Sequence, residues 1–376
     1  MRTLNPSTRE ELAAALAEAA ASKTRIQIEG ARSKARMGGA VEPAGAVIST
    51  LGLHRLLEYE PADLTISVEA GMRWAELQKI LSANNQTVPL DPPFYGEATV
   101  GGVLAANTCG PRRRLYGGPR DAVIGMKFVT LEGVTVQSGG MVVKNVAGLD
   151  IGKLMIGSFG TLAAIVVANF KLTPVPPVSR TFLFHFQTAD AALAGRDRIL
   201  GSVLQPAALD ILNPHAATRV GGRDWVLAVQ ASGNQRVIER YTTEFEGADR
   251  LDGDAETAFW SKVREFTPDF LAGHPDGAVA RFSATIQGVA PILQDLPVPA
   301  VCRAGNGIVY GYFPDVEAAA QWLPRYSGVL EFIPPRSCSP DEQWPNAGSD
   351  LAVMQKVKQM FDPHYLLNRG RLYGRI

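Results

Sequence analysis

The sequence predicts an α+β protein of two domains with a C-terminal tail. Helical and strand-like periodicities alternate along the chain. Glycine clusters crowd its first half, and Thr173-Pro174-Val175-Pro176-Pro177 sets three prolines in five residues between the halves. Proline lacks a backbone donor and favours an extended linker, so the boundary falls there. The expected divisions are residues 1–175, a smaller α+β cap at 179–345, and a closing helix and tail at 346–376.

In the first domain, Ser7-Thr8-Arg9-Glu10 reads as a capping box opening a helix. Strands are expected at 25–29 and 64–69, and a helix at 73–83 through Trp74, Leu77, Ile80 and Leu81. Residues 123–130 and 134–138 read as a hairpin, and 162–172 as a β-branched strand. In the cap, strands are expected at 181–186, 225–231, 307–312 and 329–333. Helices are expected there at 189–202, 235–245 and 316–324, and a last amphipathic helix at 350–361.

Composition narrows the function. The 376 residues are 46% hydrophobic, with 37 basic and 37 acidic side chains. Zero net charge argues against nucleic acid as a partner. The start Met1-Arg2-Thr3-Leu4-Asn5-Pro6 lacks the apolar core of a signal peptide. The apolar stretch 12–21 is too short to span a bilayer. The cysteines Cys109, Cys302 and Cys338 are far apart and suit a reducing cytoplasm, and no histidine spacing marks a metal site.

Three glycine clusters carry the chemistry. They are Gly30-Ala31-Arg32-Ser33-Lys34 after the first strand, Thr99-Val100-Gly101-Gly102 running on to Asn107 and Gly110, and Gly157-Ser158-Phe159-Gly160-Thr161. Glycine lets backbone approach a ligand closely, and successive N–H groups can then face phosphate oxygens. Each cluster alone is as readily a turn. A nicotinamide-type Gly-x-Gly-x-x-Gly is missing after the first strand, and Gly148 to Leu154 is one spacer short of a Walker loop.

Together with Glu69-Ala70-Gly71, Asp91-Pro92-Pro93 and the tail Phe361 to Arg371, these clusters resemble the FAD-binding domain shared by vanillyl-alcohol oxidase and p-cresol methylhydroxylase (PCMH type). The resemblance implies a two-subdomain FAD-binding domain, a cap, and a tail returning to the first domain. Within the family the chain is similar to the smaller FAD-binding subunits of bacterial glycolate oxidases, through Gly30 to Lys34, Cys109-Gly110-Pro111-Arg112-Arg113, Arg120-Asp121 and Val143 to Asp150. That implies a complex with a larger FAD-binding subunit and an iron–sulfur subunit, acting on a small 2-hydroxy acid. It also implies a cytoplasmic location, at most peripheral to the inner membrane.

Carried over, Gly30, Ala31, Arg32, Ser33 and Lys34 hold the pyrophosphate. Pro93, Thr99, Val100, Gly101, Gly102, Asn107 and Gly110 follow the pyrophosphate and flavin. Gly157, Ser158, Gly160 and Thr161 lie by the adenosine or ribityl part, and Asn368 and Arg371 approach from the tail. Covalent relatives carry a histidine in the first loop; Gly30-Ala31-Arg32-Ser33 has none, so FAD is expected to be noncovalent. Related hydroxy-acid dehydrogenases carry a His-rich cap stretch, where this chain has Arg303-Ala304-Gly305-Asn306-Gly307-Ile308-Val309-Tyr310. Arginine can neither ligate a metal nor act as a base at neutral pH, so a metal-assisted base is not expected, although a plain hairpin explains the stretch equally well. No catalytic residue is assigned.

Arg112, Arg113, Arg114 and Arg120 could steer an anionic substrate or pair with flavin phosphates, or form a solvated loop or subunit contact. Lys144 and Asn145 could reach the flavin edge. Cys109 reads as a packed residue, and the five tryptophans as core or interface anchors. The leading expectation is an electron-handling FAD subunit of a glycolate-oxidising complex. The alternatives are a self-sufficient FAD-dependent 2-hydroxy-acid dehydrogenase and a structural subunit without cofactor turnover.

Overall fold

A computed structural model describes residues 2–141, 150–335 and 338–376. Three sheets organise it. Arg2–Leu4, Ala46–Ser49 and Ile26–Glu29 form a small parallel sheet. The helix Arg9–Ala21 buries Leu12 and Leu16 in the same core as Ile26 and Ile48 of that sheet. Its N-cap is Thr8, which accepts from Glu11 N, while the Glu11 carboxylate takes Ser7 N and Oγ. The cap is therefore one residue later than Ser7-to-Glu10 pairing anticipates, because Thr8 is the last extended residue.

The second sheet is antiparallel, ordered Leu56–Glu60, Thr65–Glu69, Ala164–Lys171, Val123–Val129, Thr135–Gly139. Trp74–Ser82 packs Trp74, Leu77 and Leu81 into its core, with Trp74 edge-on to Phe170. Two sheets with helices between the chain start and residue 171 are the two subdomains expected of this fold.

Thr173–Pro174 pairs briefly with Gln86–Thr87, and the chain then enters an eight-stranded antiparallel sheet. That sheet includes Val178–Phe186, Trp225–Gly233, Ile308–Phe313 and Val329–Phe332, and four strands without a recognised sequence signal: Ala208–Leu212, Asp249–Leu251, Ala278–Ser283 and Ala300–Arg303. One face packs against Ala189–Leu200, Gln235–Glu244 and Val289–Asp295. The other face covers Gly253–Arg264 and Phe266–Gly273, and its apolar cluster includes Met37, with Phe94 and Phe159 of the first domain packed against it. The sheet thereby places its inner face over the glycine loops. The helix expected at 316–324 is broken into Val316–Ala320 and Trp322–Arg325, because the Pro324 ring cannot follow the Ala320 carbonyl in a continuous helix. Arg303 pairs with Ile308 in a hairpin, so the stretch 303–310 is a strand pair whose ends also face a cavity.

The tail returns as expected from the resemblance. After the helix Asp350–Phe361, Leu367 bridges Ile26 in parallel, and Asn368 N donates to Ile26 O. Among the described residues no helix is long and apolar enough to cross a membrane.

Candidate FAD cavity and the adjoining arginine cavity

The strand Ile26–Glu29 ends, and the chain turns into the loop 30–34 directly against the helix Val100–Ala105. A Cβ on Gly30 would lie 2.4 Å from Thr99 Oγ1, so the two loops touch only because residue 30 is glycine. That same hydroxyl caps the helix by accepting from Gly102 N at 3.2 Å. Asn368 ties in the third cluster: its Oδ1 accepts from Ile28 N at 2.7 Å, and its Nδ2 donates to Ile28 O and Phe159 O at 3.2 and 2.7 Å. Three segments distant in sequence are thus held by one amide.

Between them lies a cavity of about 430 Å³, within the ordinary range for ligand pockets. Gly30, Ala31, Arg32, Ser33, Lys34, Thr99, Gly101, Gly102, Gly160, Asn368 and Arg371 line it. Its wall is mostly cationic, with Glu29, 3.5 Å from Arg32 Nε, as its one carboxylate among the described residues. Arg371 donates to the carbonyls of Lys34, Ala35 and Gly39, and burial with no carboxylate lowers its guanidinium to about 10. Among the described residues Arg36 also donates to carbonyls, those of Ile333, Leu271, His274 and Gly277, and burial lowers it against the opposing effect of Asp276. Lys34 Nζ is buried with no hydrogen-bond partner among the described residues. Such a group is costly unless an anion meets it. The residues therefore fit a ligand with a negatively charged, extended middle.

A second cavity of about 470 Å³ shares Ala106 and Phe159 with the first. It runs under the inner face of the large sheet. Pro93, Asn107 and Gly157 lie here. Four arginines reach it, three of them neutralised: Arg264 by Glu265 at 2.9 Å, Arg281 by Glu331 at 3.0 Å, and Arg303 by Asp210. Arg113 contacts Cys109 Sγ at 3.1 Å and has no carboxylate at ion-pair distance among the described residues. Burial pushes the Cys109 thiol up against the opposing effect of Arg113, and burial also holds the Tyr310 phenol well above its usual range. Burial raises the Glu331 carboxyl against the pull of Arg281, whose Nε is close but not aligned for a hydrogen bond to Oε2.

Strained backbone gathers at these cavities. Arg32, Asn107, Phe159 and Asn368 line them, Phe94 packs beside them, and all five are non-glycine residues in the left-handed region. Non-glycine residues enter that region at a cost and are retained where the surroundings enforce it, commonly at ligand sites.

Val100, Gly110, Ser158 and Thr161 lie outside both linings. Val100 is a core residue of its helix, and Gly110 lets Asp91 approach, since a Cβ there would lie 2.2 Å from Asp91 O. Ser158 and Thr161 bond within their own turn. Arg112 is committed to Asp91, and Arg120 is exposed. Lys144 and Asn145 lie outside the described residues. Arg264, Arg281 and Glu331 carry no motif. Their one sequence signal is a lone charge in an apolar run for the last two, as in Ala-Val-Ala-Arg-Phe-Ser and Val-Leu-Glu-Phe.

Comparison with known proteins agrees with this geometry. Residues 2–139 match a family model described as an FAD binding domain. Glycolate oxidase subunit GlcE of Escherichia coli (strain K12) is 28% identical over 363 residues, covering 96% of this chain and 95% of that protein. Glycolate oxidase subunit GlcD of Bacillus subtilis (strain 168) is 28% identical over 266 residues, covering 68% of this chain and 55% of that protein. A solved structure of alkyldihydroxyacetonephosphate synthase, 20% identical, superposes with a TM-score of 0.71 over 97% of this chain and 75% of that one, which establishes the shared fold. Residues 2–139 are an FAD binding domain, and the chain that carries it is an FAD-dependent oxidoreductase.

Proposed function

We propose that this chain is the smaller FAD-binding subunit of a glycolate-oxidising complex, holding noncovalent FAD in the first cavity. The larger FAD-binding subunit and an iron–sulfur subunit are its partners. The observation that carries the cofactor assignment is the convergence of the glycine loops, Asn368 and Arg371 on one cavity, where Arg371 bonds only carbonyls among the described residues. Gly30 to Lys34 bring backbone to the diphosphate, with Thr99, Gly101 and Gly102 opposite and Gly160, Asn368 and Arg371 closing the side. No lining residue of the first loop, Gly30 to Lys34, is a histidine or cysteine that could carry a covalent link. Bound FAD would supply storage of two electrons and their onward delivery one at a time.

The second cavity supports a relay in preference to independent oxidation. Arg303 is held by Asp210, and the Tyr310 and Cys109 protons are held by burial, so none of these takes a proton at neutral pH. The purified chain should be yellow, and denaturation should release its flavin into the supernatant. A colourless chain that takes up no added FAD overturns the assignment.

A second reading, a self-sufficient hydroxy-acid dehydrogenase, draws on one feature. Glu331 is a carboxyl with a raised proton affinity in the same cavity as Arg113, a cation open to a small carboxylate. Anaerobic mixing with glycolate separates the two. The relay reading expects flavin absorbance to stay unchanged in the isolated chain. Rapid bleaching, lost in Glu331→Gln, would establish the dehydrogenase.

A further inference from the structure

The second cavity is lined by four arginines, yet only one of them lacks a carboxylate partner among the described residues. Glu265 takes Arg264 Nε at 2.9 Å, Glu331 stands 3.0 Å from Arg281 Nε, and Asp210 holds Arg303. Arg113 is the exception. Its Nη1 meets Cys109 Sγ at 3.1 Å. Its Nε and Nη2 meet no acceptor among the described residues, and both remain accessible on a half-buried side chain. Asp121 attracts the guanidinium only from beyond ion-pair distance, and its Oδ2 is taken by Gly118 N at 2.8 Å. Asn107 and Asn306 in the same wall also present side-chain amides without a partner among the described residues. A guanidinium fork matches a carboxylate through two parallel bonds. Size does not decide which acid enters, because about 470 Å³ is ample for a small dicarboxylate. Charge does. Arg113 meets one carboxylate, and a second would be desolvated without a partner, since the other three guanidiniums are already held.

We propose that the second cavity binds small monocarboxylates, anchored by the Arg113 guanidinium, and that its three internal arginine–carboxylate pairs discriminate against dicarboxylates. This deepens the hydroxy-acid reading above and rests on it for the natural ligand, a 2-hydroxy acid with a single carboxylate. The side-chain amides of Asn107 and Asn306 serve the 2-hydroxyl, since an amide both donates and accepts. The cavity adjoins the first through Ala106 and Phe159, so the acid lies beside the cofactor space and not within it.

The test is calorimetric titration of the full chain, FAD-loaded and flavin-free, with acetate, glycolate, malonate and acetamide. Acetate and malonate have no 2-hydroxyl to oxidise, so their binding is read independently of any turnover. Acetate should bind, glycolate more tightly, and neutral acetamide not detectably. Malonate should bind at least about tenfold more weakly than acetate, its second charge having no partner. Arg113→Met should weaken acetate and glycolate at least about tenfold, the loss of a charge-assisted pair. Arg113→Lys should recover part of that loss, keeping the charge without the fork. Retained FAD content and melting temperature in Arg113→Met show that the variant folds. Glu331→Gln frees Arg281 and should narrow the preference for acetate over malonate. Malonate binding as tightly as acetate, no binding of any monocarboxylate, or unchanged acetate affinity in Arg113→Met overturns the proposal. An unaltered preference in folded Glu331→Gln overturns the part given to the internal pairs. Glycolate binding no better than acetate overturns the hydroxy-acid reading and leaves the carboxylate site standing. Acetate binding through Arg113 in a chain that takes up no FAD overturns the cofactor assignment alone.

Discussion

Asp362→Ala is expected to lower the unfolding free energy by about 3–5 kcal/mol, the cost of leaving a buried charge without its partner. Lys358 and Asp362 are both fully buried, 2.5 Å apart, one turn from each other at the end of the last helix. Lys358 Nζ also donates to Thr161 O at 2.7 Å and Leu367 O at 3.1 Å. Asp362 accepts from Leu366 N and Leu367 N at 3.0 and 2.7 Å. The pair therefore fastens the third glycine cluster to the returning tail. Burial already lowers the Lys358 ammonium against the opposing Asp362, so deleting the carboxylate leaves the ammonium with two carbonyls and orphans two amides. Asp362→Asn should lose less, because it keeps an acceptor. Denaturant titration of the flavin-free chain measures both, and a loss below about 1 kcal/mol for Asp362→Ala would show that water enters the cluster.

The second large effect is on cofactor retention. Arg371→Met should strip most of the flavin from the purified chain, raising the FAD Kd by about two orders of magnitude, the consequence of losing about 2–3 kcal/mol. The guanidinium is the tail's grip on the first loop, through the carbonyls of Lys34, Ala35 and Gly39. Methionine fills similar volume but leaves those acceptors unpaired, so the loop loses its fixed position. It also removes a positive charge from the cavity wall. Flavin counted per chain after gel filtration reads the result. Full flavin content in Arg371→Met would mean that the loop holds its shape without the tail.

Much of the fold was legible because local patterns agreed with the final environment. The helix Asp350–Phe361, the hairpin of Val123–Val129 with Thr135–Gly139, and the strand Ala164–Lys171 all follow from periodicity and turn residues. The strands Ala208–Leu212 and Ala300–Arg303 were not, since they are central in the large sheet and buried on both faces, which removes the alternation that marks a strand. Gly253–Arg264 and Phe266–Gly273 abut at Glu265 with no intervening loop to punctuate them. Of the site, the glycine loops were legible because close approach needs that residue type. The isolation of Lys34 and the grouping of Arg113, Arg264, Arg281 and Arg303 depend on tertiary contacts between domains, which no local window contains.

The bond from Asn368 to Ile28 spans 340 residues of chain. On the ribosome the first loop emerges early, but its tail partners Asn368 and Arg371 arrive only after the whole large sheet has been made. The cavity therefore cannot close during synthesis of the first domain, and any cofactor must be captured late, by a chain already long enough to bring 366–371 home. Premature termination upstream of that segment would yield a polypeptide with all three glycine clusters and no enclosed pocket, so cofactor content would report on completed translation as well as on correct folding.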